Sequence, residues 1–395
     1  MLLGGIRYLQ PVIKAAHELG IRVITADYIP DNFAHKYSDE YVNVSIIDKE
    51  AVLKIAREKK IDGIMSFGVD PGVVTASYVQ SQMGLPAFGP FESVVILQNK
   101  DKFRKFLTEN GFNVPWAYSF NSVDNALAAS GKYSYPLIVK PTDSAGSKGC
   151  SRVDSVNELA KALACAMKHS ISGHIIVEEF IEQSGCSSDS DCFSINGKLV
   201  FASFSAQRFD KKAANPYTPS AYSWPATYTA DQEEYLRSEL QRLLSLLKMD
   251  TSVYNIETRV GINGKPYIME VSPRGGGNRL SEMLRYATGV DLIKAAVCAS
   301  VGLPIEGIKQ EPYNGHWAEI ILHSGKEGVF EQVHINDHIA KNVVEKDVWV
   351  TPGTTVDGFK GANNAIGTLV LKFESANELE NVISSPDSFV DVVLK

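Results

Sequence analysis

The sequence predicts a mixed fold: a parallel α/β layer at the N-terminus, followed by antiparallel α+β units. Three observations carry that reading. Residues 1 to about 98 alternate short apolar strands with amphipathic helices, the βαβ rhythm of a doubly wound parallel sheet. Two later stretches read instead as hairpins turned at Asn-Gly pairs, Asn196-Gly197 and Asn263-Gly264. Beyond the break "GLPIEG", residues 309–395 read as a smaller α+β unit.

Taken in order, "PVIKAAHELG" is helical, "IRVITADY" a strand, "KEAVLKIAREKK" helical, "IDGIMSFG" a strand and "PGVVTASYVQSQMG" helical. The first strand is nearly missing, because "MLL" runs straight into "GGIRYLQP"; either the sheet starts short or the true start lies upstream. Gly4-Gly5 is a weak nucleotide-loop signal, and G-x-G-x-x-G is absent. "NKDKFRKFLTENGFNVP" is a helix closed by Gly111 and Pro115. The strand "YPLIVKP", the loop "TDSAGSKGC", the helix "NELAKALACAMKH" and the strand "HIIVEEFIE" follow. After the hairpin "SDCFSINGKLVFASF", "DKKAANPYTPSAYSWPAT" is expected to be a polar, proline-bearing loop, long enough for a lid or a substrate-contacting excursion. "DQEEYLRSELQRLLSLLKM" is an amphipathic helix with a core-facing Leu stripe, and residues 280–301 are one helical stretch.

Composition excludes several classes. A chain of 395 residues, 44% hydrophobic and 22% charged, has room for two or three domains. No apolar run reaches the length of a membrane span and no signal-peptide pattern opens the chain, so the expectation is a cytoplasmic protein with no membrane partner. The five cysteines are scattered without C-x-x-C spacing, which argues for reduced thiols over a zinc site or a disulfide framework. A net charge of −7 with no basic stretch counts against nucleic acid.

The second hairpin, "NIETRVGINGKPYIMEVSPRGGGN", sets a problem. With Asn263-Gly264 as a two-residue turn, Ile262 faces Lys265, Asn255 faces Ser272 and Glu257 faces Glu270. Opposed Cβ atoms lie about 4.5–5.5 Å apart, where like charges repel. Ile256, Val260, Tyr267, Met269 and Val271 share one face, broken by Thr258; the other carries Asn255, Glu257, Arg259, Glu270 and Ser272, with Ile268 as the exception. A solvated face neutralised by Arg259, a proton-sharing dyad and a divalent cation held between the carboxylates are the three explanations. The hairpin alone does not choose among them.

The parts of a phosphate site occur elsewhere in order. Lys100 and Lys140 are cations, though a strand-end lysine that snorkels explains Lys140 as well. "DSAGSKG" can present successive N–H groups to phosphate, yet it is not a Walker loop. "VEEFIE" is either a half-buried strand or an adenine hinge.

That ordered set resembles the ATP-grasp superfamily, across nearly the whole chain. The resemblance implies a pre-ATP-grasp domain at 1–98, a two-part ATP-grasp module at 99–308 with its lid at about 115–180, and a C-terminal cap at 309–395. Eleven residues from Lys100 to Gly111 match the spacing of the family's first nucleotide lysine, and "YPLIVKP" carries the second at Lys140. Ser144, Gly146, Ser147 and Gly149 resemble its phosphate-covering loop, and Glu178, Glu179 and Ile181 its adenine hinge, with Asp189 or Asp191 holding ribose. "NIE…IMEVSPRGGGN" resembles its metal hairpin: Glu257 and Glu270, with Ser272, become ligands for Mg²⁺ or Mn²⁺. Arg274 becomes the substrate clamp, Arg208 a second catalytic arginine, and Gly275, Gly276, Gly277 and Asn278 substrate contacts.

Two departures from the family pattern stand out. Ser272 replaces the usual Asn, and Asn278 replaces the glutamate that deprotonates bicarbonate in carboxylases. The resemblance therefore implies an ATP-dependent carboxylate–amine ligase, working on a small-molecule acid and amine through an acyl phosphate. A homodimer is compatible with it. A small-molecule kinase, a bicarbonate-using carboxylase of the carbamoyl-phosphate synthase kind and a silenced nucleotide-binding regulator are the competing readings.

Overall fold

A computed structural model describes residues 1–143, 148–213 and 215–395. Its N-terminal sheet is parallel, in the order Glu40–Asn43, Ile24–Asp27, Leu2–Leu3, Met65–Ser66. The strand at "MLL" is thus two residues long and central, paired on both sides. Helices Gln10–Glu18, Lys49–Lys59 and Val73–Met83 alternate with these strands. Val52, Leu53 and Ala56 lie on one helix face and are buried, as the 3.6-residue period requires.

Next come the helix Lys100–Glu109 and an antiparallel sheet in the order Ala117–Phe120, Ile175–Glu179, Leu137–Pro141, Ser151–Val153. The helix Val156–His169 closes that sheet through Leu159 and Leu163. A second antiparallel sheet runs Lys198–Ala202, Ser188–Ile195, Ser252–Val260, Pro266–Ser272. The helix Ala230–Leu246 covers it, started by a Thr229–Gln232 capping box and anchored by Leu236, Leu240, Leu243 and Leu244. Among the described residues no helix is long and apolar enough to cross a membrane.

Two expectations need correction. The polar loop expected over 210–227 contains a strand, Pro219–Trp224, paired with Ala206–Phe209 on one side and His316–Leu322 on the other. Its faces enter two cores, Ala221 one and Tyr222 with Trp224 the other, so polar alternation is lost. This hairpin belongs to the five-stranded sheet that continues through Gly367–Phe373 to Val343–Val348, and so joins the C-terminal unit. Residues 280–301 are two helices, Leu280–Thr288 and Leu292–Val301, because Gly289 (φ +81°) ends the first and Asp291 caps the second.

Candidate functional site

The floor of the site is the hairpin 252–272. Glu257 does oppose Glu270, and Asn255 opposes Ser272, but the sequence reaches that register by another route. The turn is not the two-residue one expected. Gly261 N–H donates to Lys265 (2.9 Å) and Gly264 N–H to Gly261 (2.8 Å), so Ile262, Asn263 and Gly264 form a three-residue loop. The resulting one-residue offset is removed by a bulge between the pairs Glu257–Glu270 and Thr258–Ile268, with Met269 as the extra residue. Ile268 then shares the core with Ile256 and Val271, while Met269 is only half-buried. The exceptional position of Ile268 in the alternation was the sequence's trace of this bulge.

The neighbouring strand extends the polar floor. Asp189 pairs with Glu257, and Asp191 with Asn255. Opposed residues share a face, so two polar rows cross three strands: Asp189–Glu257–Glu270 and Asp191–Asn255–Ser272. Asn255 Nδ2 donates to Asp189 (2.6 Å) and Asp191 (3.3 Å), tying the rows together. Asp191 also accepts from Ser281 and, at 2.9 Å, from the Gly276 N–H. Burial, partly offset by these bonds, raises Asp191 to about 6. Asp189, which with Asp191 was one of two acids expected at ribose, lies on this inner floor, held by Asn255 and the Tyr222 hydroxyl (3.2 Å).

Cations stand over the floor. Lys100, the first residue of its helix, puts Nζ 2.7 Å from Glu270 Oε1. Lys140 Nζ lies 2.6 Å from Glu178 Oε2, and Arg104 Nε 3.0 Å from Glu178 Oε1. Glu178 is fully buried, yet these two cations outweigh the cost of burial and hold it at about 2. Its side chain is therefore committed to Lys140 and Arg104. Arg104 was missed in the sequence, although it lies one helical turn beyond Lys100 on the same face. Its Nη1 donates to the carbonyl of Met269 (2.8 Å), so the bulge also supplies an anchor for this arginine.

Among the described residues Arg259 makes no ion pair with the carboxylates, unlike the contact the solvated-face reading supposed; its Nη1 donates to the Ile181 carbonyl (3.1 Å). That carbonyl is correspondingly engaged in the expected hinge, as is the Glu179 N–H, which donates to Trp116 (2.9 Å). Glu257 accepts no hydrogen bond and makes no ion pair among the described residues. Its carboxyl is raised by desolvation first and by the Glu270 charge second, whereas in Glu270 Lys100 prevails over burial and lowers the carboxyl. Two opposed hard-oxygen donors, one of them without a partner, fit Mg²⁺ or Mn²⁺, which are held by one or two carboxylates together with phosphate oxygens. No group of three or more His, Cys, Asp or Glu is gathered as a metal cage among the described residues.

Arg274 is buried and gripped by Asp70, through Nε (2.8 Å) and Nη2 (2.7 Å), while Nη1 donates to Gly275 O (3.0 Å). Two of the five N–H groups of the guanidinium are left by these bonds. Asp70 also accepts from Ser272 Oγ (3.1 Å), which in turn accepts from Gln98 (2.8 Å). Asp70 went unremarked in the sequence. It follows the parallel strand Met65–Ser66 at its carboxyl end, where ligands bind in open α/β sheets.

The glycine run is partly corrected. Gly276 cannot offer its N–H to an oxyanion, because Asp191 holds it. Gly275 has to be glycine, since a Cβ there would stand 2.1 Å from the Phe67 ring. Asn278, left-handed at φ +48°, accepts from the Tyr8 hydroxyl and donates to Tyr222, both at 3.1 Å. Gly149 has φ +75° and lies against His169 and Pro141. Ser144, Gly146 and Ser147 lie outside the described residues. Arg208 is directed to Ser223 (2.7 Å) and to Glu380 (2.7 Å) of the C-terminal unit, and among the described residues no contact links it to the floor.

Residues 133–282 match the model of the ATP-grasp domain. The large chain of carbamoyl phosphate synthase from Thermotoga neapolitana is 25% identical over 306 residues; the match covers 76% of this chain and 27% of that protein. The chain thus aligns with little more than a quarter of the length of that curated relative. Among solved structures, the L-amino acid ligase from Bacillus licheniformis superposes with a TM-score of 0.82 at 22% identity, covering 100% of this chain and 98% of that one. Phosphoribosylglycinamide synthetase from Anaerococcus prevotii gives 0.76 at 18% identity, with coverage of 100% and 98%. Residues 133–282 thus match an ATP-grasp domain, and over its whole length the chain shares the fold of these solved structures.

Proposed function

We propose that the chain is an ATP-dependent carboxylate–amine ligase that forms an amide or peptide bond through an acyl phosphate. The observation that carries this reading is the facing pair Glu257 and Glu270 with Lys100 on its edge and Lys140 close by. Glu257 and Glu270 would hold Mg²⁺, which would supply neutralisation of the charge that builds on the phosphates. Lys100 and Lys140 bind phosphate oxygens, exchanging their present carboxylate partners for the nucleotide. Arg274, fixed by Asp70, turns its remaining N–H groups to the acid substrate and to the tetrahedral oxyanion, and the bidentate grip keeps it from drifting.

The kinase and carboxylase readings are separated from this one by product chemistry. The L-amino acid ligase likeness supports the ligase, as does Asn278, whose amide is bonded to Tyr8 and Tyr222 and has no basic group for bicarbonate. A screen of amino acids and uronic acids with amines, read by ADP release, finds the substrates. Oxygen label in the acid is then expected in the released phosphate, and hydroxylamine in place of the amine should give a hydroxamate. Label that stays wholly in the acid, a stable phosphorylated product formed with amine present, or turnover on bicarbonate alone would overturn the ligase reading.

A further inference from the structure

The Gly4-Gly5 pair has no part in the carboxylate floor, and packing explains it. It follows the central strand Leu2–Leu3 and lets a neighbouring segment come close. Gly5 O accepts from the Ala34 N–H (2.8 Å), and a Cβ on Gly5 would stand 2.6 Å from both Asn32 and His35. That approach brings the Phe33 ring to Arg7, whose guanidinium carbon lies 3.6 Å from the ring centroid. Trp349, from the C-terminal unit, presents a second ring 5.0 Å from the same group.

Arg7 stands at a switch in the parallel sheet. The strand Leu2–Leu3 has Ile24–Asp27 on one side and Met65–Ser66 on the other, and ligands of open α/β sheets bind beyond the carboxyl ends of strands at such a point. Asp70, which grips Arg274, follows the second of those neighbours. Tyr8, next to Arg7, stands beside Gly277 and donates to Asn278. Arg7 therefore adjoins the site already described.

It also lines a cavity of about 270 Å³ between the helix Gln10–Glu18 and the C-terminal unit. The wall carries charges of both signs, and the other cations are matched. Arg279 is held by Glu282 (3.2 Å) and Glu345 (2.9 Å), Arg285 by Asp291 (3.4 Å), and Lys14 faces Glu18 (4.0 Å). Asp347 accepts from the Trp349 indole N–H (2.7 Å). Among the described residues Arg7 makes neither an ion pair nor a hydrogen bond, only the two ring contacts. The rings hold the half-buried guanidinium while its five N–H donors stay open. Such a group suits a planar anion that takes two parallel hydrogen bonds. Glu345 and Asp347 in the same wall disfavour a doubly charged phosphate, which leaves a single carboxylate.

We propose that Arg7 is a specificity-determining residue that binds a substrate carboxylate taking no part in the reaction. The carboxylate to be activated has its own partner in Arg274, so the one at Arg7 is a second. Its source is either an amino acid serving as the amine or a dicarboxylic acid serving as the acid. That division rests on the ligase reading; the binding does not need turnover.

Calorimetry on the full chain loaded with Mg·ADP tests this with two sets of probes. The proteinogenic L-amino acids are compared with their α-carboxamides, and the linear dicarboxylic acids from malonic to adipic with their monoamides. At least one acid should bind roughly tenfold or more tightly than its amide, the preference expected of a charge-assisted pair. Arg7→Gln should abolish that preference while Mg·ADP still binds, and Arg7→Lys should keep part of it. Should Arg7→Gln fail to fold, Phe33→Leu, which removes one ring from the guanidinium, should weaken the acid several-fold and leave its amide unmoved. A preferred amino acid identifies the amine, and a preferred dicarboxylate the acid; either supports the assignment. No binding, no acid preferred over its amide, or a preference that survives Arg7→Gln, as it would with the carboxylate on Arg274, would overturn it. Oxygen transfer is read apart: a chain that passes label from acid to phosphate without this preference keeps the ligase reading and loses Arg7.

Discussion

The molecule contains two hairpins turned at Asn-Gly, and they are built differently. At Asn196-Gly197 both residues are left-handed (φ 49° and 76°), Ile195 pairs with Lys198, and the turn is the two-residue kind that the dipeptide favours. At Asn263-Gly264 only Gly264 is left-handed, and the loop takes in Ile262 as well. Neighbours decide between the two outcomes. Ile262 N–H donates to Glu182 (2.8 Å), and the Asn263 side chain bonds Lys265 N–H (3.0 Å) and the Tyr267 hydroxyl (2.9 Å). The first hairpin also shifts register close to its turn, between Leu199 and Phe201, but carries no reacting group there. The second spends a bulge, which exposes the Met269 carbonyl to Arg104 and returns Glu270 to the face of Glu257. An Asn-Gly pair thus announces a hairpin without fixing its loop length; both hairpins shift register, and only in the second does the shift lie beside the facing carboxylates.

The largest expected effect is on that irregular hairpin. Glu270→Gln should lower turnover by roughly a thousandfold or more, about 4 kcal/mol or more of barrier, with the fold retained by circular dichroism. Metal-free stability should fall slightly, since the variant removes the partner that holds Lys100 as well as the repulsion with Glu257. Near-normal turnover at ordinary Mg²⁺ would return the pair to a solvated face.

Next comes the anchor behind the bulge. Arg104→Leu should cost about 3 kcal/mol or somewhat more, because it leaves Glu178 buried with Lys140 alone; chemical denaturation measures it. The same carboxylate predicts a pH dependence. Its folded value, about 2, lies below the ordinary 4.5, so its contribution is full above about 4.5 and is lost as pH falls toward about 2. Glu178→Gln should flatten stability across that window; an unchanged acid limb would show that the ion triad is not what fails there.

Smaller effects follow. Lys100→Ala and Lys140→Ala should each weaken ATP binding by about 1.5–3 kcal/mol, the worth of a charge-assisted contact, measurable by calorimetry. The turns themselves should differ least, and in a defined order. Gly197→Ala meets Met249 O at 2.9 Å as well as a left-handed backbone, whereas Gly264→Ala meets open space. The first should cost about 2 kcal/mol or more and the second about 1 kcal/mol. Equal losses would mean the two turns are not held differently.

Much of this was readable in the sequence, and the exceptions have physical causes. The parallel layer, the helices and the Glu257–Glu270 opposition follow from periodicity and turn chemistry, although the last rests on an offset in the loop that the bulge cancels. The strand Pro219–Trp224 was not readable, because a strand buried on both faces carries no alternation. Asp70, Tyr8 and Tyr222 were missed because each becomes part of the site through contacts distant in sequence. Asp70 reaches Arg274 and Ser272, and Tyr8 and Tyr222 meet on Asn278.

The claim at the centre is that the bulged hairpin exists to present a two-carboxylate metal clamp. Titration of Mn²⁺ followed by electron paramagnetic resonance, with ADP present, tests it on the wild-type chain, Glu257→Gln and Glu270→Gln. Wild type should take up one Mn²⁺ per chain with the nucleotide, and each variant should weaken that uptake at least tenfold while still binding ADP. Uptake that is the same in all three would show that the facing carboxylates hold no metal.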